Sequence, residues 1–362
     1  MSLPINRGIF LEDNEALSIR DLGDTYKPVG SQALIKVKYS AINPADLKHS
    51  YIGLGGSITG YDWVGTVVEI GNSSSFTVGQ RLFGGVIPAS QRPLHTGAHQ
   101  NYLIIDGTTA TWPVPKGMSE EVAATLPVAV ESAADLIFNV NGFGLPAAGI
   151  DGQDASGVPI LIWGGASGVG AAAIQVAKAA GFEPIFVTAS PKNHERLLKA
   201  GVSGAFDYNS PTVVEEIRKA VAESSKKLTV AIETVCNGTT ILGKPLDKNN
   251  TPDLAKACMS DNMWAEDMRL ASVLPVPHDT DWKEGYALRP SGNFNWLGSP
   301  QDPVFPVRTK KFMDWFVVNH ELVWKPIVRT PIVEGAEKAI EEIRRVARGG
   351  ASMEKVLIAR PL

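Results

Sequence analysis

Residues 159–181 constrain the fold more than any other part of this chain. An apolar run from Ile160 to Trp163 is followed by a turn dense in glycine and then by small residues at helical spacing. Glycine lets the backbone approach a phosphate closely, and the start of a helix offers unpaired N–H groups with a partial positive charge. The order of strand, glycine turn and helix therefore predicts a loop that binds the pyrophosphate of a dinucleotide.

The glycine spacing is a variant of the usual fingerprint. Glycine occupies positions 164, 165, 168 and 170, whereas the common pattern is G-x-G-x-x-G. An ordinary strand-to-helix loop can also contain glycine, and this alternative stays open on the motif alone. A second apolar run at residues 184–188 and a helix expected from Pro191 complete a βαβ unit, which favours dinucleotide binding.

The bulk composition argues against several classes of function. A chain of 362 residues is long enough for two domains, and its net charge of -4 gives no basic surface for nucleic acid. No apolar stretch approaches the roughly 20 residues that span a bilayer, and residues 1–7 lack the apolar core of a signal peptide. With only Cys236 and Cys258, a cysteine-based zinc site is excluded. We therefore expect a cytoplasmic protein without a nucleic-acid or membrane partner.

The pattern of elements changes along the chain. Runs at residues 33–39, 64–70 and 101–105 have strand character and are separated by glycine and proline, which predicts a small barrel within residues 1–118. Ser119 followed by acidic residues is a predicted helix start. From Pro159 onward strands and helices are expected to alternate, as in a doubly wound parallel sheet.

Residues 275–306 are rich in proline and poor in periodicity, so an irregular excursion is predicted there. Helices are predicted at residues 311–318 and 334–345, and a strand at 355–359. The prolines of the excursion are Pro275, Pro277, Pro290, Pro300, Pro303 and Pro306. Because proline lacks the N–H group of a sheet ladder, pairing of sheet edges between two copies is disfavoured and we predict a monomer.

The order of motifs resembles that of the medium-chain dehydrogenase/reductase superfamily over essentially the full length. The matching stretches are residues 39–46, 60–68, 78–82 and 97–102, the glycine loop, and residues 206–208. The resemblance implies an α/β fold with a GroES-like β-barrel domain and a Rossmann domain, whose parallel sheet is doubly wound. It places the GroES-like catalytic domain at residues 1–118, completed by residues 312–362, and the Rossmann NADPH-binding domain at residues 119–311.

The positions that hold catalytic zinc in other members differ in this chain. Zinc-dependent members carry cysteine where this chain has Asn43, and His-Glu where it has Tyr61 and Asp62. Neither Asn43 nor Tyr61 is a good zinc ligand, so the departure argues against catalytic zinc. Alcohol oxidation then lacks its Lewis acid, whereas the acceptor carbon of an activated C=C bond is already electrophilic. The sequence therefore resembles the zinc-free quinone reductase and enoyl reductase branch.

Three stretches resemble the trans-acting enoyl reductases of fungal polyketide synthases. They are residues 43–48, residues 126–134 and the proline-rich insertion. Such proteins reduce an α,β-unsaturated thioester held on the carrier domain of a partner synthase, so the resemblance implies an NADPH-dependent enoyl reductase. Two alternatives stay open: a quinone or alkenal reductase acting on a free substrate, and a non-catalytic NADPH-binding protein.

The first group of candidate cofactor-binding residues lies in the predicted βαβ unit. Those for the pyrophosphate are Gly165, Ala166, Ser167, Gly168, Val169 and Gly170. The second strand ends without the acidic residue that NAD enzymes place against the ribose 2′-OH, and Ser190 and Lys192 suit a 2′-phosphate, which favours NADPH. Asn193 follows in the same segment, and Tyr208 matches a family tyrosine near that phosphate. Lys192 could equally be a solvated lysine at a helix start.

Further candidates come from the resemblance. It places Lys48 near the nicotinamide, where its ammonium would contact the cofactor or stabilise the enolate oxygen, and Ser132 beside the nicotinamide. A surface lysine and a mid-helix serine are the alternatives. Asn43, Tyr61 and Asp62 are expected to shape the pocket, although Asp62 could equally be a buried structural group. The remaining cofactor candidates are Ala45, Asp46, Val273, Leu274, Ala351 and Ser352.

We predict that the purified protein carries no stoichiometric zinc, because Asn43 and Tyr61 stand where the metal ligands would be. Elemental analysis measures the metal content, and chelators are expected to leave activity unchanged. Zinc bound in proportion to the protein would contradict this prediction.

Overall fold

The structure, a computed structural model, describes residues 5–362 except 24, 90–91, 108–109, 241–244, 262–266, 291–294 and 297–298, with the backbone alone for 295–296 and 299–300. It divides into two compact units. The first comprises Met1–Val128, Leu288–Ser291 and Arg329–Leu362, and the second comprises Ala129–Ala287 and Gly292–Val328.

The first unit is built mainly from strands. In the first stretch of the chain these are β1 (Arg7–Leu11), β2 (Leu17–Asp21), β3 (Ala33–Ala41), β4 (Ser57–Ile58), β5 (Asp62–Ile70), β6 (Arg81–Gly85), β7 (Tyr102–Ile105) and β8 (Ala110–Pro113). The short helices are α1 (Ala45–Lys48), α2 (Glu120–Ala123) and the 3-10 helices His49–Ile52 and Leu94–Thr96.

The second unit alternates strands and helices. Its helices are α3 (Pro127–Ala134, which begins at the boundary), α4 (Gly168–Ala180), α5 (His194–Lys199), α6 (Val213–Glu223), α7 (Thr251–Ala257) and α8 (Val304–Val323). A π-helical turn spans Asp135–Val140, and 3-10 helices span Pro146–Ala148 and Pro191–Asn193. Its strands are β9 (Ile160–Trp163), β10 (Ile185–Thr188), β11 (Gly204–Phe206), β12 (Val230–Glu233), β13 (Arg269–Ser272), β14 (Trp282–Glu284), β15 (Asn295–Trp296) and β16 (Ser299–Pro300).

The last stretch of the chain returns to the first unit. It contributes β17 (Ile332–Val333), α9 (Ala336–Ala347) and β18 (Leu357–Ala359). α9 turns Ala339 and Ile343 into a core that also contains Ile9 and Leu47. Because Leu47 belongs to α1, the returning helix supports the turn that carries Lys48.

β3 organises the larger sheet of the first unit. It pairs antiparallel with β5, β7 and β18, and the sheet runs in the order β17-β18-β3-β5-β6-β8. Lys36 and Lys38 face outward along β3 while their apolar neighbours are buried, as the two-residue period of a half-buried strand requires. A second sheet has the order β2-β1-β4. These sheets, antiparallel except for the parallel pair β17 and β18, form the GroES-like domain that the sequence predicted.

The second unit contains a six-stranded parallel sheet in the order β11-β10-β9-β12-β13-β14. β9 and β12 are buried along their whole length, as expected for parallel strands covered on both faces. The chain runs outward from β9 through β10 and β11, then continues on the other side from β12. The switch point therefore lies between β9 and β12, and the predicted doubly wound Rossmann fold is confirmed.

The prediction of an irregular excursion at residues 275–306 is wrong in part. β14 lies in this stretch and pairs with β13 as the edge strand. Its three residues contain no apolar run, so periodicity gives no strand signal. α8 begins at Val304 rather than at 311, because Pro303 precedes the helix and Pro306 lies in its first turn, where a missing N–H is tolerated.

These differences also affect the predicted oligomeric state. The prolines flank β14 and do not interrupt it, so the proline argument for a monomer loses its basis. The monomer stays a prediction. No helix in the described part of the chain is long and apolar enough to cross a membrane.

The unit limits differ from the predicted domain limits on both sides. α2 belongs to the first unit, whereas the predicted Rossmann domain already begins at residue 119. Glu120 of α2 forms an ion pair with Lys38 of β3 at 2.5 Å. Residues 312–328 lie in the second unit, because the ring of Phe312 packs on that of Phe138 with 5.2 Å between centroids.

A buried ion pair joins the returning stretch to the rest of the first unit. Lys355 is 6% exposed, and its Nζ lies 3.0 Å from Oδ2 of the fully buried Asp62. The same ammonium donates to Oδ1 of Asn43. Further along, Arg360 donates to the Ser40 hydroxyl at 2.6 Å. Residues that are far apart in the chain thus satisfy each other's charges and hydrogen bonds.

We predict that Lys355→Met destabilises the protein by about 3–5 kcal/mol, because Asp62 is left as a buried charge without its cation. Equilibrium denaturation measures the change, and Lys338→Met, on the exposed side of α9, is the matched control with an expected effect within about 0.5 kcal/mol. Equal unfolding midpoints for Lys355→Met and the wild type would contradict the prediction.

Candidate functional site

The glycine loop joins β9 to α4 and is held against the next strand of the sheet. The N–H groups of Gly164 and Gly165 donate to the hydroxyl and the carbonyl of Thr188, each at 2.9 Å. Gly164 has a φ of +87°, in the region that favours glycine. The loop is therefore fixed by its own backbone at the carboxyl end of the parallel strands, where ligands of such sheets bind.

Ser167 caps α4 and links the loop to β12. Its hydroxyl accepts from the N–H of Gly170 at 2.9 Å and lies 2.9 Å from Oγ1 of Thr234. Thr234 is a residue that sequence reasoning missed, although its position directly after β12, at the switch point, is a usable signal.

The loop geometry fits a pyrophosphate. The N–H groups of Gly168 and Val169 lie ahead of the hydrogen-bond ladder of α4, so the helix itself cannot satisfy them. A Cβ on Gly168 would meet no described atom within 4 Å, so the space beside Gly168 is open. A Cβ on Gly170 would instead lie 2.2 Å from the carbonyl oxygen of Gly164. Gly168 thus keeps the ligand side open, and Gly170 allows close packing of loop and helix.

Ser190 and Tyr208 come together in the second unit. Their hydroxyl oxygens are 2.9 Å apart, and the N–H of Ala189 donates to the carbonyl of Phe206 at 2.9 Å, which aligns the ends of β10 and β11. Tyr208 is 42% exposed and Lys192 is exposed, whereas Asn193 is buried. The predicted 2′-phosphate residues therefore present two paired hydroxyls at the sheet edge, and the lysine follows in the next turn.

Glu233, which sequence reasoning did not single out, is a buried carboxyl at the carboxyl end of the parallel sheet. It ends β12 and accepts from the backbone N–H groups of Val235, at 3.1 Å, and Cys236. Burial raises its pKa to about 7. Its carbonyl accepts from the N–H of Val273 at 3.0 Å, which places Val273 and the following Leu274 at the carboxyl end of β13. Ligands of parallel sheets bind at this end of the strands, so the prediction that Val273 and Leu274 contact the cofactor is compatible with their position.

Ser132 lies on α3 in the second unit and is 7% exposed. Within the described part of the chain, no polar contact distinguishes a nicotinamide-binding serine from an ordinary helical serine. Its assignment stays a prediction.

In the first unit, Asn43, Asp46 and Asp62 form one buried network. The N–H of Asn43 donates to Asp46 at 2.7 Å, and its side-chain amide donates to Asp62 at 2.9 Å. Asp62 also accepts from the N–H of Val128 at 2.8 Å. Lys355 completes the network, so the oxygen atoms at the positions of the zinc ligands already face an ammonium group.

Asp46 has internal partners that the sequence did not reveal. Its Oδ2 lies 3.0 Å from Nε2 of His99, and both side chains are fully buried. His99 Nδ1 is 2.8 Å from the Ser40 hydroxyl. Asp46 therefore fixes the turn before α1. The contacts of Asp62 with Asn43, Val128 and Lys355 also support the alternative that Asp62 is a buried structural group.

Tyr61 lies beside the network and has different partners. Its hydroxyl is 2.5 Å from Nδ1 of His49, and the guanidinium carbon of Arg92 lies 5.0 Å from the centre of its ring. Burial raises the pKa of Tyr61 to about 12 and lowers that of His49 to about 4, so both groups are neutral near pH 7. Neither His49 nor Arg92 carried a motif that sequence reasoning could use.

The other candidates of the first unit are partly exposed. Lys48 ends α1, which also carries Ala45, and Ala351 and Ser352 lie before β18. Ala351 packs against the core that contains Leu47. The structure thus brings the α1 turn and the returning stretch together through that core.

Comparison with known proteins agrees with this architecture. The alcohol dehydrogenase GroES-like domain family matches residues 30–125, and the zinc-binding dehydrogenase family matches residues 168–242. The solved structure of CurK enoyl reductase is 18% identical, with a TM-score of 0.68 over 99% of this chain and 100% of that chain. At this identity the likeness shows the fold alone.

Two curated relatives are fungal. The dehydrogenase pigH of Monascus ruber is 31% identical over 236 residues, which are 60% of this chain and 62% of that protein. A trans-enoyl reductase of Gibberella fujikuroi is 31% identical over 214 residues, 57% of each chain. The chain therefore spans about three fifths of the length of the curated relatives it matches.

The fold and the glycine loop define a two-domain protein with a GroES-like domain and a Rossmann domain. In both matched regions the chain is similar to members of the medium-chain dehydrogenase/reductase superfamily.

We predict that Gly168→Ala weakens dinucleotide binding about tenfold or more, equivalent to about 1.4 kcal/mol, because the added methyl group fills the space in front of the α4 donors. Its stability should stay at or above that of the wild type. Gly170→Ala is the matched control, since its methyl group meets the Gly164 carbonyl and should lower stability by about 1–3 kcal/mol. Titration and thermal unfolding of both variants measure these effects, and unchanged binding in Gly168→Ala would contradict the prediction.

Proposed function

We propose that this protein is an NADPH-dependent, metal-free reductase of an activated C=C bond, acting on an enoyl thioester held on the carrier domain of a polyketide synthase. The strongest support is the polar network of Asn43, Asp62 and Lys355. An ammonium group faces the oxygen atoms at the positions where zinc-dependent members carry metal ligands. Chemistry that needs no Lewis acid suits such a site.

The second unit supplies the cofactor end of the proposal. Gly165, Ala166, Ser167, Gly168, Val169 and Gly170 would hold the pyrophosphate, and Ser190, Lys192, Asn193 and Tyr208 the 2′-phosphate. NADPH supplies a hydride when bound. Val273, Leu274 and Ser132 would position the nicotinamide half of the molecule.

The first unit supplies groups for the substrate. Addition of a hydride to the β-carbon moves charge onto the thioester oxygen, and a nearby cation stabilises that charge. Lys48, on the short helix α1, is the group that we assign to this oxygen. Ala45 lies on α1, and Ala351 and Ser352 lie in the returning stretch before β18. We assign all three to contacts with the cofactor.

The relatives support the substrate class in part. One is described as a trans-enoyl reductase and another as a dehydrogenase. Both cysteines of this chain are buried free thiols, which suits the reducing cytoplasm of a cell. We propose a cytoplasmic protein that works with a separate synthase.

The test of this function is a comparison of acceptors with NADPH as donor. The panel contains an enoyl thioester on a carrier protein, the same acyl group on N-acetylcysteamine, a free quinone and a free alkenal. Reduction of the carrier-bound thioester at the highest kcat/KM is the expected result. Turnover of the quinone or alkenal alone would favour a reductase of free substrates, and NADPH binding without any turnover would indicate a non-catalytic protein.

We predict that NADPH binds about ten- to a hundredfold more tightly than NADH, because a charge-assisted phosphate contact is worth about 1.5–3 kcal/mol. Lys192→Ala should weaken NADPH far more than NADH. Lys199→Ala, an exposed lysine of α5 paired with Glu195, is the control and should leave both affinities unchanged. Equal dissociation constants of the wild type for the two nucleotides would refute the preference.

We predict that Lys48→Ala lowers kcat about a hundred- to a thousandfold, the effect of losing one preorganised donor to a developing oxyanion. NADPH affinity should stay nearly unchanged. If Lys48 only anchors the cofactor, affinity falls and kcat at saturating NADPH is kept. Wild-type values for both quantities would remove Lys48 from the site.

A further inference from the structure

Arg92 is a buried cation of the first unit whose hydrogen bonds are incomplete. Its side chain is 7% exposed, and one terminal nitrogen donates to the carbonyl of Ile58. Among the residues that the structure describes, Nε and Nη1 find no hydrogen-bond partner. A buried charged group without compensation is costly, so this arrangement favours a negative charge that forms next to it.

The group beside Arg92 that can become an anion is the phenol of Tyr61. The guanidinium carbon lies 5.0 Å from the ring centre, within the range of a cation–π contact. Asp46, a carboxylate of the same unit, accepts through Oδ2 from the N–H of Asn43 and faces His99 with the same oxygen. Tyr61, by contrast, is neutral in the resting protein and gains a charge by losing a proton.

His49 holds the hydroxyl of Tyr61 in place. Nδ1 lies 2.5 Å from the phenol oxygen, and the two rings meet edge to face with 5.1 Å between centroids. His49 is partly exposed, whereas Tyr61 is 4% exposed. The imidazole is therefore placed to pass a proton from water to a phenol that water hardly reaches.

We propose that Tyr61 donates the proton that completes reduction of the C=C bond, with His49 and Arg92 as positioning residues. This role of Tyr61 rests on the proposed function. Tyr61 immediately precedes Asp62, at a position where zinc-dependent members of the superfamily carry a metal ligand. In this chain the position carries a tyrosine, whose phenol we assign as the proton donor.

Reduction of the C=C bond adds one hydride and one proton to the acyl chain. A hydride bonds to the β-carbon, and the C=C electron pair moves toward the thioester oxygen to give an enolate. The O–H bond of Tyr61 breaks, its proton bonds to the α-carbon, and the carbonyl is restored. The electron pair left on the phenol oxygen is stabilised by Arg92. His49 then gives its Nδ1 proton to the phenolate while its other ring nitrogen takes one from water, and exchange with water restores the starting tautomer.

The test uses the full-length protein, NADPH and an enoyl thioester of N-acetylcysteamine, in D2O as well as in water. Tyr61→Phe should lower kcat about a hundred- to ten-thousandfold, the range of a general acid, with the NADPH dissociation constant unchanged. The wild type in D2O should place deuterium on one face of the α-carbon, whereas Tyr61→Phe should give both faces. Tyr102→Phe removes the hydroxyl of another buried tyrosine of the same unit and should behave as the wild type.

Arg92 provides a second arm that does not depend on Tyr61→Phe being folded. Arg92→Lys keeps a cation and should retain more of kcat than Arg92→Met, at equal KM and at thermal unfolding temperatures that are measured in parallel. An active wild type whose Tyr61→Phe variant keeps kcat and the single labelled face would overturn the role of Tyr61. A wild type that reduces no enoyl thioester would overturn the proposed function, and this role with it.

Discussion

The ammonium of Lys355, buried against Asp62, is the interaction on which the first unit depends. Either charge alone in that environment would cost several kcal/mol, so the returning stretch and the start of β5 require each other. The same ammonium group contacts the side-chain oxygen atoms of Asn43 and Asp62, so these atoms face an organic cation. The same contact is thus a structural constraint and the observation that supports the proposed metal-free chemistry.

The second unit is held together in a different way. Its cofactor loop is fixed by backbone and hydroxyl hydrogen bonds, from Gly164 and Gly165 to Thr188 and from Ser167 to Thr234. Neutral groups of this kind leave the positive end of α4 unopposed, which is the electrostatic requirement for a pyrophosphate. The Asp62–Lys355 pair of the first unit is thus neutralised internally, whereas the start of α4 in the second unit keeps its partial positive charge.

The sequence predicted features with a local signal and missed those made by distant residues. The apolar run of β9, the glycine turn and the cap at Ser119 each lie within a few neighbouring residues, and the structure has all three. β14 is too short for a periodic pattern. The pairs Lys355–Asp62 and Asp46–His99 join segments far apart in the chain, so only the folded structure shows them.

In the function that we propose, a hydride moves from a bound nicotinamide to the β-carbon of a C=C bond. The direct measurement uses NADPH carrying deuterium at the transferable position and locates the label in the product by NMR. Deuterium at the β-carbon of a saturated thioester is the predicted result. Deuterium at a carbonyl-derived carbon, which would make the protein a carbonyl reductase, or a product without label would contradict it.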